Sequence, residues 1–381
     1  MKIGLVCPYN IAKGGGVQEI VRATQKELSK RGHDALILTP EPRDMAEYHR
    51  KDNIIFVGGA ADFKSVLHTT SQFSMAADTY GITQMLEEEK FDILHFHEPW
   101  VPMLSRQILS RSQAVNIATF HAKLPETLMS RTMAKVVTPY TKAVLKQLHV
   151  LTAVSEAASE YVRSLTDEPV SIIPNGIDLS MYKNPAAKKA DSPMQTLLYI
   201  GRLEKRKGVE YLLQAYKLLE ERGPDVQLII AGDGPDREKL EAMADELNIS
   251  NITFLGYISE EEKVNLLTEA DLFCAPSLYG ESFGIVLLEA MATGVVTVAG
   301  SNPGYASVLQ ELGSLSLVNP KDTEEFARRL DVMLHDEGLR KLWKKWAKTY
   351  VQQYNYPTIV DQYTEVYEAA FKKHTPTHES V

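Results

Sequence analysis

The chain has 381 residues, more than the ~100–200 of a typical single domain, so two domains are the natural expectation. With 44% hydrophobic and 24% charged residues it is not a disordered chain, a collagen or a small disulfide scaffold. Lys and Arg number 41 against 50 Asp and Glu, a net charge of −9, which argues against a nucleic-acid partner.

The chain opens Met1-Lys2-Ile3-Gly4-Leu5-Val6-Cys7-Pro8, one charge followed by a short apolar run and a proline. That is the pattern of a strand rather than a signal peptide. No window of ~18 apolar residues is present, so no membrane span is expected. Cys7 and Cys274 lie in apolar runs and read as buried thiols in a reducing compartment. A cytoplasmic location follows, at most peripheral at the inner face of the cell membrane.

Strand and helix patterns then alternate. Ile3–Cys7 is a strand. Val17–Arg31 has apolar residues at helical spacing, and Ala35–Leu38, Ile54–Val57, Ile93–Phe96, Asn116–Phe120 and Leu151–Val154 read as further strands. The stretch 183–195 is rich in Pro, Ala and charge without apolar period and reads as a linker. The alternation restarts with strands at Leu197–Ile200, Gln227–Ala231, Ile252–Leu255, Leu272–Ala275 and Val295–Val298. Helices are expected over Gly208–Glu221, Asp236–Leu247, Glu260–Glu269, Gly284–Ala292, Thr323–His335 and Leu339–Tyr354. Tyr356-Pro357 breaks the chain before a last helix to about Lys373. The expectation is an α/β protein of two Rossmann-like, doubly wound parallel-sheet domains facing across a cleft. The first would span 1–183, completed by the C-terminal helix 357–381, and the second 184–356.

Four groups of residues can carry chemistry. Gly14-Gly15-Gly16-Val17-Gln18 lies between the first strand and its helix, where backbone N–H groups and a helix N-terminus suit a phosphate; a plain flexible connection is the alternative. The spacing is neither G-x-G-x-x-G nor a P-loop. Gly201-Arg202-Leu203-Glu204-Lys205-Arg206-Lys207-Gly208 puts four basic residues within six positions at a strand end, apt for a diphosphate or simply solvated. Arg202 and Lys207 are the better candidates, and Arg206 is expected to face solvent.

Glu281 and Glu289 lie eight apart around a helix start. Glu289 falls in an otherwise apolar helix and would need donors if buried. His95, His97 and His121 fall at strand ends. His95 and His97 share a strand face and, with Glu98, have the residue types of a metal site; packing is the alternative. For His121 a contact to a sugar hydroxyl is the better reading. No Asp-x-Asp pair occurs, so no obligatory metal or other cofactor is expected.

These residues resemble the retaining glycosyltransferases of family 4, with the GT-B architecture. The resemblance runs over nearly the whole chain. It rests on Gly-Gly-Val-Gln, Thr-Phe-His, Ala-Val-Ser at 153–155, Pro-Asn-Gly-Ile-Asp at 174–178, Gly-Arg-Leu-x-x-x-Lys-Gly, Ala-Gly-Asp-Gly-Pro at 231–235 and the Glu-x7-Glu segment. Val-Cys-Pro-Tyr, His-x-His-Glu-Pro, Ala-Thr-Phe-His-Ala and Gly-Glu-Ser-Phe-Gly-Ile-Val-Leu are most similar to phosphatidyl-myo-inositol mannosyltransferases.

The resemblance implies that Gly15 and Gly16 offer N–H groups to the donor phosphate and that Gln18 lies near the acceptor. It implies that His121 contacts the donor sugar, that Arg202 and Lys207 hold the diphosphate, that Glu281 contacts the transferred sugar and Glu289 the ribose. Backbone N–H groups around Phe283, Gly284, Ile285 and Val286 would bind sugar and phosphate. One departure stands out: the family's Tyr-Asn-Gly-Ser acceptor stretch is replaced by Val57-Gly58-Gly59-Ala60-Ala61-Asp62-Phe63-Lys64-Ser65, where Lys64 is the available cation.

The implied activity is hexosyl transfer, mannose from GDP-mannose, to a lipid or polyol acceptor. A UDP-glucose or UDP-N-acetylglucosamine enzyme of the same family is the alternative, and a non-catalytic nucleotide-sugar-binding protein the alternative of another class. A nicotinamide dehydrogenase is disfavoured by the missing G-x-G-x-x-G. Base recognition is expected near Gly256-Tyr257-Ile258. Leu124–Leu148, with Arg131, Lys135, Lys142 and Lys146 against one acidic residue, Glu126, can lie on an anionic bilayer, with Pro139 interrupting any continuous helix. Arg340–Lys348 has five cations and two Trp and is a second such stretch.

Overall fold

A computed structural model describes residues 1–12, 14–42, 53–64, 70–74, 79–122, 131–182, 194–223 and 225–374. The chain divides into two compact units, one of Met1–Gly176 with the segment from Tyr356 onward, the other of Ile177–Asn355.

The first unit runs β1 (Lys2–Val6), α1 (Gly16–Lys30), β2 (Asp34–Glu41), β3 (Ile54–Lys64), β4 (Thr70–Ser74), α2 (Thr79–Glu89), β5 (Ile93–His97) and α3 (Leu104–Leu109). It continues with β6 (Val115–Phe120), α4 (Arg131–Leu145), β7 (Val150–Ala153), α5 (Glu156–Arg163) and β8 (Val170–Ile172). Its sheet has the order β4-β3-β2-β1-β5-β6-β7-β8, and every pairing is parallel except β3 with β4. The strand order reverses between β1 and β5.

The strands read as continuous apolar runs because both faces are covered. Ile3 and Leu5 pack with Val21 and Leu28 of α1 and with Val360 and Tyr363 of the last helix. Val6 faces the other way, with Leu94, Phe96, Leu104 and Ile108. The last helix is tied on by Arg31, which donates to Asp361 Oδ1 at 2.7 Å and to the Pro357 carbonyl at 2.8 Å.

The second unit runs β9 (Gln195–Ile200), α6 (Val209–Arg222), β10 (Val226–Ala231), α7 (Arg237–Glu246), β11 (Ile252–Gly256), α8 (Glu260–Glu269) and β12 (Leu272–Ala275). Then come α9 (Ile285–Thr293), β13 (Val296–Gly300), α10 (Pro303–Val308), β14 (Leu317–Val318), α11 (Thr323–His335) and α12 (Glu337–Tyr350). The last helix, α13 (Tyr356–His374), belongs to the first unit. The second sheet is wholly parallel, with the order β11-β10-β9-β12-β13-β14 and its reversal between β9 and β12. Beyond the carboxyl ends of strands at such a reversal, open α/β sheets bind ligands.

The structure departs from the sequence expectation in several places. Strands β8 and β14, three and two residues long, are too short for an apolar pattern, and β4, Thr-Ser-Gln-Phe-Ser, is mostly polar. Pro139 does not interrupt a helix but sits inside α4. The aromatic residues of Arg340–Lys348 are not an exposed membrane anchor. Trp343 is fully buried with Nε1 donating to Ser316 Oγ at 2.9 Å, and Trp346 stacks on Tyr350. α12 is amphipathic because it packs on its own unit. The stretch 183–193 of the expected linker and 124–130 of the first basic stretch lie outside the described residues, as do the side chains of Lys64, Arg131 and Lys135.

Gly232 closes the ends of two strands against each other. Its N–H donates to the Gly256 carbonyl at 2.7 Å, its φ is +132°, and a Cβ there would lie 1.9 Å from the Gly201 carbonyl oxygen. Both the conformation and the close approach require glycine. Gly232→Ala is therefore expected to lower stability by about 2–4 kcal/mol. Chemical denaturation measures this, and a loss below about 0.5 kcal/mol would show that the strand ends part freely.

Candidate active site

In the second unit, β9 ends at Ile200 and leads into the basic run. A single 3-10 turn, Lys205–Lys207, closes on Gly208 and starts α6. This turn aims two cations at one carboxylate. Lys207 Nζ donates to Glu281 Oε1 at 2.7 Å, and Arg206 Nη1 donates to the same oxygen at 2.8 Å. Arg206 Nη2 also pairs with Glu204 at 2.7 Å. Arg206 thus does not face solvent as expected; a carboxylate with little access to water recruits both neighbouring cations. Burial alone would raise the Glu281 carboxyl, but Lys207 and Arg206 outweigh it and hold it below the ordinary range. Arg202 is exposed, and its carbonyl accepts from the buried Tyr199 hydroxyl at 2.9 Å.

Gly284 begins α9 at φ +110°, with the Tyr305 ring where a Cβ would stand. No side chain caps this helix, so its first N–H groups and positive dipole end are left for a ligand. Phe283 is buried with its edge toward Tyr354, and Ile285 and Val286 form the first turn. One turn on, Glu289 is 8% exposed and accepts from Lys263 Nζ of α8 at 2.7 Å. Burial raises its carboxyl above the ordinary value against the opposing pull of Lys263. The cation that meets a buried Glu289 is therefore Lys263, and the Tyr182 side chain also hydrogen-bonds to it. Nothing in local spacing links these residues, because they sit on helices that only the sheet brings together.

A cavity of about 230 Å³ opens here, lined by Tyr199, Gly201, Lys207, Lys263, Ser277 and Glu289 among others. It lies beyond the carboxyl ends of β9 and β12, at the strand-order reversal. Lys207, Val286 and Glu289 line it together. At the end of β11, two strands from β9, Gly256 takes φ +76° and Tyr257 is 88% exposed.

In the first unit, Gly15 is the N-cap of α1, which also has no side-chain cap, and the Gln18 amide lies against Gly15. His121 follows β6 and is buried. Strands β1, β5 and β6 are parallel neighbours, so α1 and His121 start from the same edge of the sheet. His95 is a satisfied core histidine, paired at 2.7 Å with both the Tyr367 and Thr119 hydroxyls. His97 Nδ1 lies 2.9 Å from His121 Nε2. Glu98 Oε1 accepts from the backbone N–H of His121 at 2.6 Å and of Ala122 at 2.5 Å. Burial pushes the Glu98 carboxyl up to about 8 and the His121 imidazole down to about 4. No group of three or more His, Cys, Asp or Glu among the described residues is arranged to hold a metal ion.

Two Rossmann-like units in series, the second with a cation-lined cavity at its strand reversal, define the GT-B class of fold. The family model for Glycosyltransferase Family 4 matches residues 14–181, and that for Glycosyl transferases group 1 matches residues 182–350. The phosphatidyl-myo-inositol mannosyltransferase of Mycolicibacterium smegmatis is 32% identical over 379 residues, covering 97% of this chain and 94% of that protein. The chain belongs to glycosyltransferase family 4 and is a glycosyltransferase.

Among solved structures, the sucrose-phosphate synthase of Thermosynechococcus elongatus superposes with a TM-score of 0.78 at 20% identity, covering 98% of this chain and 99% of that one. Anabaena HepE in complex with UDP-glucose gives 0.74 at 19% identity, covering 97% and 100%. Both share the fold.

The Lys263–Glu289 pair yields a stability test. Lys263→Met would leave Glu289 buried without its cation, at a cost of about 3 kcal/mol near pH 8. A carboxyl whose folded pKa lies above its unfolded one costs stability as pH rises and is relieved by protonation as pH falls. The melting-temperature gap between variant and wild type should therefore narrow from pH 8 to pH 5. A gap constant with pH would mean that Glu289 is not the group left unpaired.

Proposed function

We propose that this glycosyltransferase is a retaining, metal-independent enzyme that moves mannose from GDP-mannose to a lipid or polyol acceptor of the phosphatidylinositol type. The observation that carries the reading is the convergence of Lys207 and Arg206 on Glu281 beside the uncapped N-terminus of α9. Cations and helix N–H groups fixed in place are what a departing nucleoside diphosphate needs as its charge grows. The mannosyl donor and lipid acceptor are suggested by the mycobacterial relative.

In this reading Lys207 and Arg202 hold the diphosphate, with backbone N–H groups of Phe283–Val286 on sugar and phosphate. Glu281 contacts the sugar and Glu289 the ribose. Gly15 and Gly16 donate N–H groups to the phosphate, His121 contacts the sugar, and Gln18 serves the acceptor. The bond from the anomeric carbon to the phosphate oxygen breaks through an oxocarbenium-like state. The acceptor oxygen bonds to that carbon on the same face, and its proton passes to the leaving phosphate oxygen. Retention then needs no protein base.

A thermal-shift panel of GDP, UDP, ADP and their sugar conjugates tests the donor, because a ligand selective for the native state raises its melting temperature. GDP and GDP-mannose should stabilise selectively; selective stabilisation by UDP-glucose would replace the mannosyl reading. With the stabilising donor, Lys207→Ala should lower kcat by about 100-fold or more, and a near-normal kcat would end the electrostatic role.

A lipid acceptor also requires a membrane-facing surface. No helix of the described residues is long and apolar enough to cross a membrane, but Lys142 and Lys146 stand exposed one turn apart. The protein should sediment with anionic phosphatidylinositol vesicles at low salt and be released as salt rises. Failure to sediment at low salt would favour a water-soluble polyol acceptor.

A further inference from the structure

We infer that Arg206 is a positioning residue that holds Glu281 in place from outside the cavity, and so leaves the charge of Lys207 to a ligand inside it. This rests on the reading of the cavity as a diphosphate site, and it divides the two cations of one cluster between two tasks.

Both cations reach the same atom, Glu281 Oε1, yet they stand differently toward the cavity. Lys207 lines it, and Arg206 is not among its lining residues. An ammonium has three N–H groups. Lys207 uses one on Glu281, at 2.7 Å, and has the others for a ligand. Arg206 has its fork engaged on both sides: Nη1 donates to Glu281 at 2.8 Å and Nη2 pairs with Glu204 at 2.7 Å.

The backbone puts this guanidinium at a seam. The N–H of Leu278 donates to the Arg206 carbonyl at 2.8 Å, and a Cβ on Gly208 would lie 2.3 Å from the Pro276 carbonyl oxygen. The turn that carries Arg206 is thus fixed against the loop that leads to Glu281. Glu204 enters that turn in an extended conformation, and its carbonyl accepts from the Lys207 N–H at 2.8 Å. Carboxylate, guanidinium and carboxylate therefore stand in a row that the main chain sets.

Burial is what makes a second cation necessary. The Glu281 side chain is 13% exposed. An anion that engages Lys207 draws on its charge, and a carboxylate left there without another cation would be costly. Arg206 keeps it paired. The other polar groups that face Glu281 are the hydroxyls of Ser277, Tyr199 and Tyr305, with Glu204 on the far side of Arg206. Burial pushes both phenols well above their ordinary value, so neither titrates alongside Glu281.

The test begins without any nucleotide. The full chain is labelled with carbon-13 at glutamate Cδ, and Glu281→Gln identifies the Glu281 signal by its loss. That signal should titrate at least about 0.5 pH unit higher in Arg206→Gln than in wild type, because removing a cation favours the protonated carboxyl. Arg206→Lys, which keeps the charge, should titrate closer to wild type. Coincident titrations in wild type and Arg206→Gln would overturn the proposal, and so would Arg206→Lys behaving as Arg206→Gln.

Melting-temperature shifts with GDP and UDP as probes then separate positioning from contact. A residue that acts through Glu281 matters only while Glu281 is a carboxylate. Arg206→Gln should reduce the nucleotide-induced shift in the wild-type background and reduce it by less than about half as much in Glu281→Gln. Lys207→Ala should reduce it in both backgrounds. Equal reductions by Arg206→Gln in the two backgrounds would make Arg206 a ligand contact and overturn the proposal. If neither nucleotide shifts the melting temperature, the diphosphate reading ends, and the titration, made without nucleotide, still decides whether Arg206 holds Glu281.

Discussion

A carboxylate taken out of water must be met by a cation or by N–H groups, because left alone it costs several kcal/mol. Three buried acidic side chains meet such partners at or near the carboxyl ends of parallel strands, although at Glu98 burial outweighs them and pushes the carboxyl up to about 8. Glu281 holds Lys207 and Arg206, Glu289 holds Lys263, and Glu98 holds two backbone N–H groups. Each contact ties together segments far apart in the chain. The loop after β9 is drawn to the loop before α9, α8 to α9, and the end of β5 to the residues after β6. The carboxyl-end edges of both sheets are organised by the need to satisfy these acidic side chains.

The sheets supply the other half of the constraint. In both units the order reverses beside the first strand, which leaves a crevice between the connections that diverge there. Helices α1 and α9 begin at such edges with glycine in place of a capping side chain. A serine or aspartate at either position would satisfy the N–H groups internally. Glycine leaves them to a ligand, and at Gly284 the Tyr305 ring also leaves no room for a Cβ. The second unit shows how little of this edge is neutral: Lys207, Lys263 and Glu289 all line one cavity.

How much of this was readable in advance depends on the range of each interaction. Strands such as Ile93–His97 announce themselves because a strand buried on both faces is a plain apolar run. The same rule fails for β14, whose pair of residues is too short to carry any pattern. Glu281 and Glu289 could be singled out by their spacing around a helix start. Their partners could not all be found: Arg206 read as a solvated charge beside Lys207, and Lys263 lies in a different helix. Trp343 and Trp346 misled in the opposite sense, since aromatic and basic residues on one helix suit a membrane surface and an intramolecular face alike. The pairing of His97 with His121 joins neighbouring strands, and no feature of either local sequence indicates it.

The charge balance in the second unit bears on the proposed reaction. Glu204, Arg206, Glu281 and Lys207 form a linked set of two carboxylates and two cations. Such a set has no net charge to attract an anion, so affinity for a diphosphate has to draw on the α9 N-terminus and on Arg202. What the set provides is order: the cations are already oriented and partly desolvated before a ligand arrives. Only interactions that strengthen toward the transition state speed a reaction. In the proposed reaction, negative charge would accumulate on the phosphate side as the sugar–phosphate bond lengthens, where Lys207 would meet it. Positive charge would accumulate on the sugar, where, in that reading, an ionised Glu281 would be favourable. Because Lys207 and Arg206 hold the Glu281 carboxyl below its ordinary range, it stays ionised at neutral pH. The same ion pair thus keeps both charges in place and would oppose the two charges that the proposed reaction creates.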